Sequence, residues 1–316
     1  MVAILLGAGF SRWAANLPIA DELFDFDIEP WGPREEAELK RAQRIKHEWD
    51  VDNPEGLAEQ FIAHCLERGE EQRRTVLWYI TRRLSKPFIW REWHAGRWRR
   101  HVLMIDENRK FGIDGVVRAR DFLLKLTAWR RFGVVTTNYD MLPEYAFGTD
   151  GFNYGVPGEP LQGRGPYPVS TWRGPVTADG NVPLAKIHGS VSWDSSARYT
   201  EGRRGITGDA LIVAPTAEKQ VPPELLDVWD LARGILSSSE RVLVFGFAFN
   251  PYDEAVLDLL RRSGKNARAV LLIDVAPPID AAQRVWPRAD IADSLPPPEG
   301  SPQIKTWLQG TAGNDV

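Results

Sequence analysis

A series of short, almost uninterrupted apolar runs constrains this chain most: residues 2 to 6, 132 to 136, 184 to 188, 210 to 213, 241 to 245 and 269 to 273. A strand covered on both faces has no need to alternate polar and apolar residues, so it reads as such a continuous run, often rich in β-branched residues. Helical stretches at Pro223 to Leu236 and Tyr252 to Arg262 fall between runs of this kind. Strands alternating with helices predict the α/β class, as a Rossmann-like doubly wound parallel sheet.

Between residues 27 and 129 the texture changes to charged sequence rich in Trp and Arg, with helical spacing at Glu35 to Trp49, Pro54 to Glu67 and Gln72 to Leu84. This predicts a helical insertion after the first strand–helix unit, within one unit spanning 1–316. Residues 148 to 183 are rich in Gly and Pro and read as a long loop. The tail from Leu295 onward has the same look, with Trp307 as its one apolar anchor.

Composition removes several classes of function. A net charge of −4 gives no overall basic field, so nucleic acid is expected only through a local patch or a partner. No run is long enough to span a bilayer, and the start lacks a basic lead followed by a long apolar stretch, so the expectation is a cytoplasmic protein without membrane contact. Cys65 is the only cysteine, which precludes an intramolecular disulfide or a cysteine-built zinc site. No metal site is expected.

The chemistry-bearing residues cluster just past the strand runs. Gly7-Ala8-Gly9-Phe10-Ser11 follows the first, where small residues let amides and a helix N-terminus approach a pyrophosphate, or simply pack a tight turn. It departs from the full dinucleotide fingerprint, because Ala14 and Ala15 stand where a third glycine is sought. The second run leads into Thr136-Thr137-Asn138-Tyr139-Asp140. An Asn there suits orienting a water or sugar hydroxyl, and Asn138 and Asp140 equally suit capping the next helix. The third ends at His188-Gly189-Ser190, placing an imidazole suited to general-base work beside a glycine that permits close approach of a ligand. Past the fifth lie Gly246 and then Asp253 in the first turn of a helix, where a carboxylate favours the dipole. Asp274 follows the sixth, where an acidic residue suits ribose hydroxyls or plain solvation.

Taken in order, LLGAGFS, VVTTNYD, LAKIHGS, LIVAPTAEK and VLVFGFAFNPYDEAV resemble the sirtuin-like family, in particular its prokaryotic NADase branch linked to antiphage defence. The resemblance covers most of the chain. It implies that NAD is the substrate, with Asn138 and His188 as catalytic pair. It further implies that Gly7, Ala8, Gly9 and Ser11 lie near the phosphates, Asp140 by the nicotinamide, and Gly246, Phe247 and Asp274 along the adenosine side, with Thr137 also among the cofactor-binding residues. Sirtuin deacetylases usually carry a zinc module held by four cysteines, which one cysteine cannot build, so the chemistry implied is NAD hydrolysis without zinc. Pro215 and Lys219 of the PTAEK segment look like the NADase branch, whereas Phe247 and Ala248 stand where sirtuins have hydroxyl residues. The same resemblance implies control by homo-oligomerisation or by a partner such as a HerA-like ATPase or a short Argonaute. Trp90, Trp93 and Trp98, interleaved with arginines, suit a solvated, partly packed helical cap, a contact surface for a partner, or a nucleic-acid patch. Deacylation, ADP-ribosyl transfer and silent binding of NAD or ADP-ribose are the alternatives.

Overall fold

The structure, a computed structural model, describes residues 1–102, 114–127, 131–147, 152–154, 182–193, 210–214, 221 and 223–310. Side chains of 89–93, 98–102, 127 and 224 are outside the description, as is the PTAEK segment with Pro215 and Lys219. The side chains of the tryptophans at 90, 93 and 98 therefore lie outside it as well.

The elements in chain order are β1 (Val2–Leu6), α1 (Ala8–Ala15), α2 (Pro33–Asp52), α3 (Ala58–Glu67), α4 (Glu70–Leu84), β2 (Ile89–His94), β3 (Arg97–Val102), α5 (Asp114–Thr127) and β4 (Phe132–Thr136). There follow α6 (Leu142–Phe147), β5 (Phe152–Asn153), β6 (Val182–Lys186), β7 (Gly189–Ser190), β8 (Leu211–Ile212), α7 (Leu226–Ser237), β9 (Arg241–Phe245) and α8 (Glu254–Ser263). β10 (Ala269–Ile273), α9 (Ile279–Val285), β11 (Asp290–Ser294) and α10 (Ser301–Gln309) complete the chain.

Seven strands form one parallel sheet in the order β11-β10-β9-β1-β4-β6-β5. Every residue of β1 and β4 is buried, as continuous apolar runs require of strands covered on both faces. Each Val, Leu or Ile so buried contributes on the order of 1.5–3 kcal/mol. The fold is α/β and Rossmann-like, with a helical insertion. The inserted helices α2 and α4 pack Leu39, Ala42, Trp78 and Tyr79 into a small second core with Ile28. Tyr79 ties it to the chain leaving α1, its hydroxyl donating to Leu23 O and accepting from Phe26 N, both at 3.0 Å.

Several elements differ from the sequence expectation. The run 184 to 188 forms a strand at 182–186, so His188 lies beyond the strand end instead of closing it. The run 210 to 213 contributes only Leu211–Ile212, which pairs antiparallel with Gly189–Ser190 outside the main sheet. The Trp- and Arg-rich stretch is an antiparallel hairpin, β2–β3, turned by Ala95 and Gly96, both at positive φ as a two-residue hairpin turn requires. The tail is not loop alone, because α10 buries Ile304 and Leu308 and Arg241 stacks over the Trp307 ring at 4.0 Å. Among the described residues no helix is long and apolar enough to cross a membrane.

Candidate functional site

Parallel pairing fixes where the sheet presents its residues. Leu6 lies beside Thr136 on one side and Phe245 on the other; Thr136 in turn lies beside Lys186, and Phe245 beside Ile273. Gly7, Thr137, Ile187, Gly246 and Asp274 therefore leave the sheet along one carboxyl edge. The chain order reverses at β1, whose neighbours are β4 and β9. A crevice outside the carboxyl ends of strands at such a reversal is where open α/β sheets bind ligands.

At that point Asn138, Ser11 and Asp140 form one buried network. Asn138 Nδ2 donates to Gly7 O at 2.8 Å and to Ser11 Oγ at 2.9 Å. Only the nitrogen of the amide can serve a carbonyl acceptor, so Asn138 Oδ1 is the atom left to accept from a ligand. Ser11 Oγ donates to Asp140 Oδ2 at 2.7 Å, and Asp140 Oδ1 accepts from Leu142 N at 2.9 Å. Asp140 thus turns the chain into α6 while holding Ser11. The Ser11 hydroxyl is spent inside the network.

Behind Asp140 lies a sealed ion pair. Lys186 Nζ donates to Glu144 Oε1 at 2.9 Å and to Asp140 O, and both charged side chains are 0% exposed. Tyr154 donates to the same Glu144 oxygen at 2.9 Å. Burial pushes the Glu144 carboxyl above its ordinary value, and the Lys186 charge pulls it only partly back. This pair fixes the turn that carries Asn138 to the strand beside it.

His188 is buried in the turn between β6 and β7. Its carbonyl accepts from Val213 N at 2.9 Å, and the preceding carbonyl, of Ile187, accepts from Trp229 Nε1 at 2.9 Å. The Nε2 atom lies 3.2 Å from Asp253 Oδ2, with both side chains 4% exposed. The Tyr139 ring flanks the imidazole at 6.3 Å. Burial holds the Tyr139 phenol in its neutral form, reinforced by the charges of Asp253 and Glu59, and its hydroxyl donates to Val213 O at 3.1 Å. Gly189, at φ +82, is required for a reason other than ligand approach: a Cβ there would sit 2.0 Å from Leu211 O.

The glycine turn at Gly7 packs against the turn after β9. Gly7 N donates to Phe245 O at 3.0 Å and Gly9 N to Gly246 O at 2.9 Å. A Cβ on Gly7 would stand 2.3 Å from Gly246 O, and one on Gly9 2.6 Å from Gly246 Cα. Phe10 N turns back to Gly7 O at 3.0 Å. Of the first three amides of α1, that of Ala8 has no partner among the described residues and sits partly exposed at the positive end of the helix. Phe247 is buried with its ring against Phe249, 4.9 Å between centroids. Asp274, one strand further out, is partly exposed and its Oδ1 accepts from Ala276 N at 3.1 Å.

The structure thus places Gly7, Ala8, Gly9, Ser11, Thr137, Asn138, Asp140, His188 and Gly246 around one edge. Phe247 lies within the turn beside it, and Asp274 lies toward β10. The residue that the sequence reading missed as part of the site is Asp253. It is the N-cap of α8, yet its side chain makes no capping bond and reaches His188 instead. No cluster of three or more His, Cys, Asp or Glu side chains suited to a metal occurs among the described residues.

No family model matches the sequence, and no curated protein matches it. Among solved structures, Sir2Tm bound to a propionylated peptide is similar over 98% of this chain and 93% of its own, at 13% identity and a TM-score of 0.40. A complex of a mutant Sir2 homologue with ADP ribose covers 98% and 90%, at 15% identity and 0.39. A structure described by the basis of sirtuin substrate affinity covers 98% and 93%, at 13% and 0.41. Likeness at this level assigns neither a family nor a function.

Proposed function

We propose that this protein binds NAD at the carboxyl edge around β1 and cleaves its nicotinamide–ribose bond, with water as acceptor. One observation carries the reading. An amide and an imidazole, Asn138 and His188, follow the adjacent parallel strands β4 and β6, on one side of the reversal of strand order at β1, beside a helix N-terminus with an amide to spare. The ordered motifs that resemble the sirtuin-like family support the same chemistry.

In this reading the pyrophosphate meets the Ala8 amide and the α1 dipole. The C1′–N bond breaks with its electron pair passing to the nicotinamide ring, which leaves neutral. Asn138 Oδ1 accepts from a ribose hydroxyl or from the attacking water, holding it below the oxocarbenium-like carbon. His188 takes the proton as the water oxygen bonds to C1′, directly or through a ribose hydroxyl. The products are nicotinamide and ADP-ribose. Water is preferred over an acyl peptide as acceptor because the single cysteine cannot supply a four-cysteine zinc module.

An unregulated activity of this kind would drain a cell of NAD. The reading therefore includes gating by self-assembly or by a partner, a HerA-like ATPase or a short Argonaute being of the kind the resemblance implies, in a defence role. The test is chromatography of NAD incubated with the purified chain, alone and with the products of neighbouring genes. Nicotinamide and ADP-ribose in equal amounts are expected, falling at least about 100-fold in His188→Ala and Asn138→Ala with ADP-ribose binding kept. Release that depends on an added acyl peptide would move the assignment to deacylation. Stoichiometric binding without release under every condition would make the protein a sensor or scaffold.

A further inference from the structure

Asp253 follows β9, and His188 follows β6. In the sheet these two strands are separated by β1 and β4, three strand spacings, or about 14 Å. The 3.2 Å contact between Nε2 and Oδ2 therefore requires the segment 246–253 to fold back across the strand ends. Several features hold it there. Gly246 and Phe249 take φ of +63 and +53, reversing the chain twice. Asn250 organises the exit, its carbonyl accepting from Asp253 N at 2.9 Å and its Oδ1 from Tyr252 N at 3.0 Å. Its Nδ2 donates to Glu59 Oε1 at 3.3 Å, anchoring the turn to the inserted helix α3.

An aspartate at a helix N-cap ordinarily accepts from the amides of the first turn. Asp253 makes no such bond, and its buried carboxylate faces a buried imidazole instead. A carboxylate has no hydrogen to give, so a neutral His188 can satisfy the contact only by donating from Nε2. That leaves Nδ1 with the lone pair. We infer that Asp253 is a positioning residue: it holds His188 in its Nε2–H tautomer across the site and stabilises the imidazolium that forms when Nδ1 takes a proton. Asp253 itself does not touch the substrate. The inference rests on the proposed NAD cleavage for its catalytic consequence, but the tautomer is a property of the free protein.

The experiment compares the full chain with Asp253→Asn and Asp253→Ala. The first keeps the shape of the side chain but offers an amide that donates to Nε2, favouring the Nδ1–H tautomer and removing the imidazole's basic nitrogen from use. Long-range nitrogen–proton correlation of the His188 ring is expected to show Nε2–H in the native protein and Nδ1–H in Asp253→Asn. Nicotinamide release is expected to fall about 10²- to 10⁴-fold in kcat, the range set by loss of an orienting carboxylate behind a catalytic histidine. KM for NAD and binding of ADP-ribose should change by less than about 3-fold, because Asp253 is argued to act through His188 and not on the ligand. Circular dichroism and ADP-ribose binding establish that each variant is folded. An unchanged tautomer in both variants would overturn the inference, as would a kcat within 3-fold of native. If the native protein releases no nicotinamide under any condition, the proposed activity is what fails, and the ring correlation alone decides whether Asp253 sets the histidine.

Discussion

Replacing Lys186 by Met is the sharpest test of how the site is built. It removes the ammonium that serves Glu144 Oε1 and Asp140 O in a fully buried setting. Glu144 is left with Tyr154 as donor to one oxygen, while its Oε2 already has no partner. A carboxylate so placed escapes its burial cost by taking a proton. From an ordinary value of 4.5, protonation at pH 7 costs about 3.4 kcal/mol, which bounds the charge penalty. Loss of the bond to the Asp140 carbonyl adds about 1 kcal/mol or somewhat more. The total is therefore at most about 4–5 kcal/mol, within the range for removing one partner of a buried pair.

The sign with pH follows from the same carboxyl. Its folded-state value is raised, so its contribution to stability is fully present below about 4.5 and is lost as pH rises through the folded-state value. In Lys186→Met the upward push is opposed only by the remaining hydrogen bonds, that of Tyr154 among them, so the loss extends further. The penalty of the substitution should therefore shrink on acidification, to about 2–3 kcal/mol at pH 5.5, where protonation costs only about 1.4 kcal/mol. Adding Glu144→Gln to Lys186→Met removes the need for a proton and should recover most of the difference seen at neutral pH. Urea unfolding of the native protein, the single and the double variant at pH 5.5 and 7.5 reads all of this. A penalty below about 1 kcal/mol at pH 7.5, or one that grows toward acid, would refute the reasoning.

Two further outcomes follow from the same structure. Gly9→Ala should cost about 1–3 kcal/mol in thermal or urea unfolding, because its Cβ would meet the Gly246 backbone, which cannot yield as a flexible side chain could; a neutral effect would show that the two turns are not in contact. Cys65, fully buried in α3, has its thiol pushed up to about 12 from an ordinary 9.0, so it should be about 1,000-fold poorer in thiolate than a free thiol and resist alkylation until the chain unfolds; rapid labelling of the native protein would contradict that burial.

The parallel sheet was legible because its central strands are covered on both faces, and the resulting apolar runs at 2 to 6, 132 to 136, 241 to 245 and 269 to 273 match strands to the residue. β11 escaped notice for the converse reason. As an edge strand of sequence Asp-Ile-Ala-Asp-Ser it is largely solvated, so no apolar run marks it. The hairpin at Ile89–Val102 was absorbed into a helical reading because its alternating Trp and Arg residues carry the charge and aromatic content of the flanking helices; the Ala95-Gly96 turn was the available signal. The helix over Ser301–Gln309 hid behind the proline-rich stretch before it, although Pro302 at the start of a helix is favourable.

At the site the same division holds between what a strand end dictates and what a turn decides. Parallel register alone puts residues from Gly7, Asn138, His188 and Gly246 on one edge, so that much follows from recognising the strands. The partner of His188 does not. Asp253 precedes an amphipathic helix and satisfies every local rule for a capping residue, and nothing within its own segment says that its carboxylate will lie beside a histidine more than sixty positions earlier. That contact depends on the positive φ at Gly246 and Phe249 and on the Asn250–Glu59 bond to the insertion. The insertion, which looks peripheral in the sequence, thus touches the turn that carries Asp253, through the bond between Asn250 and Glu59.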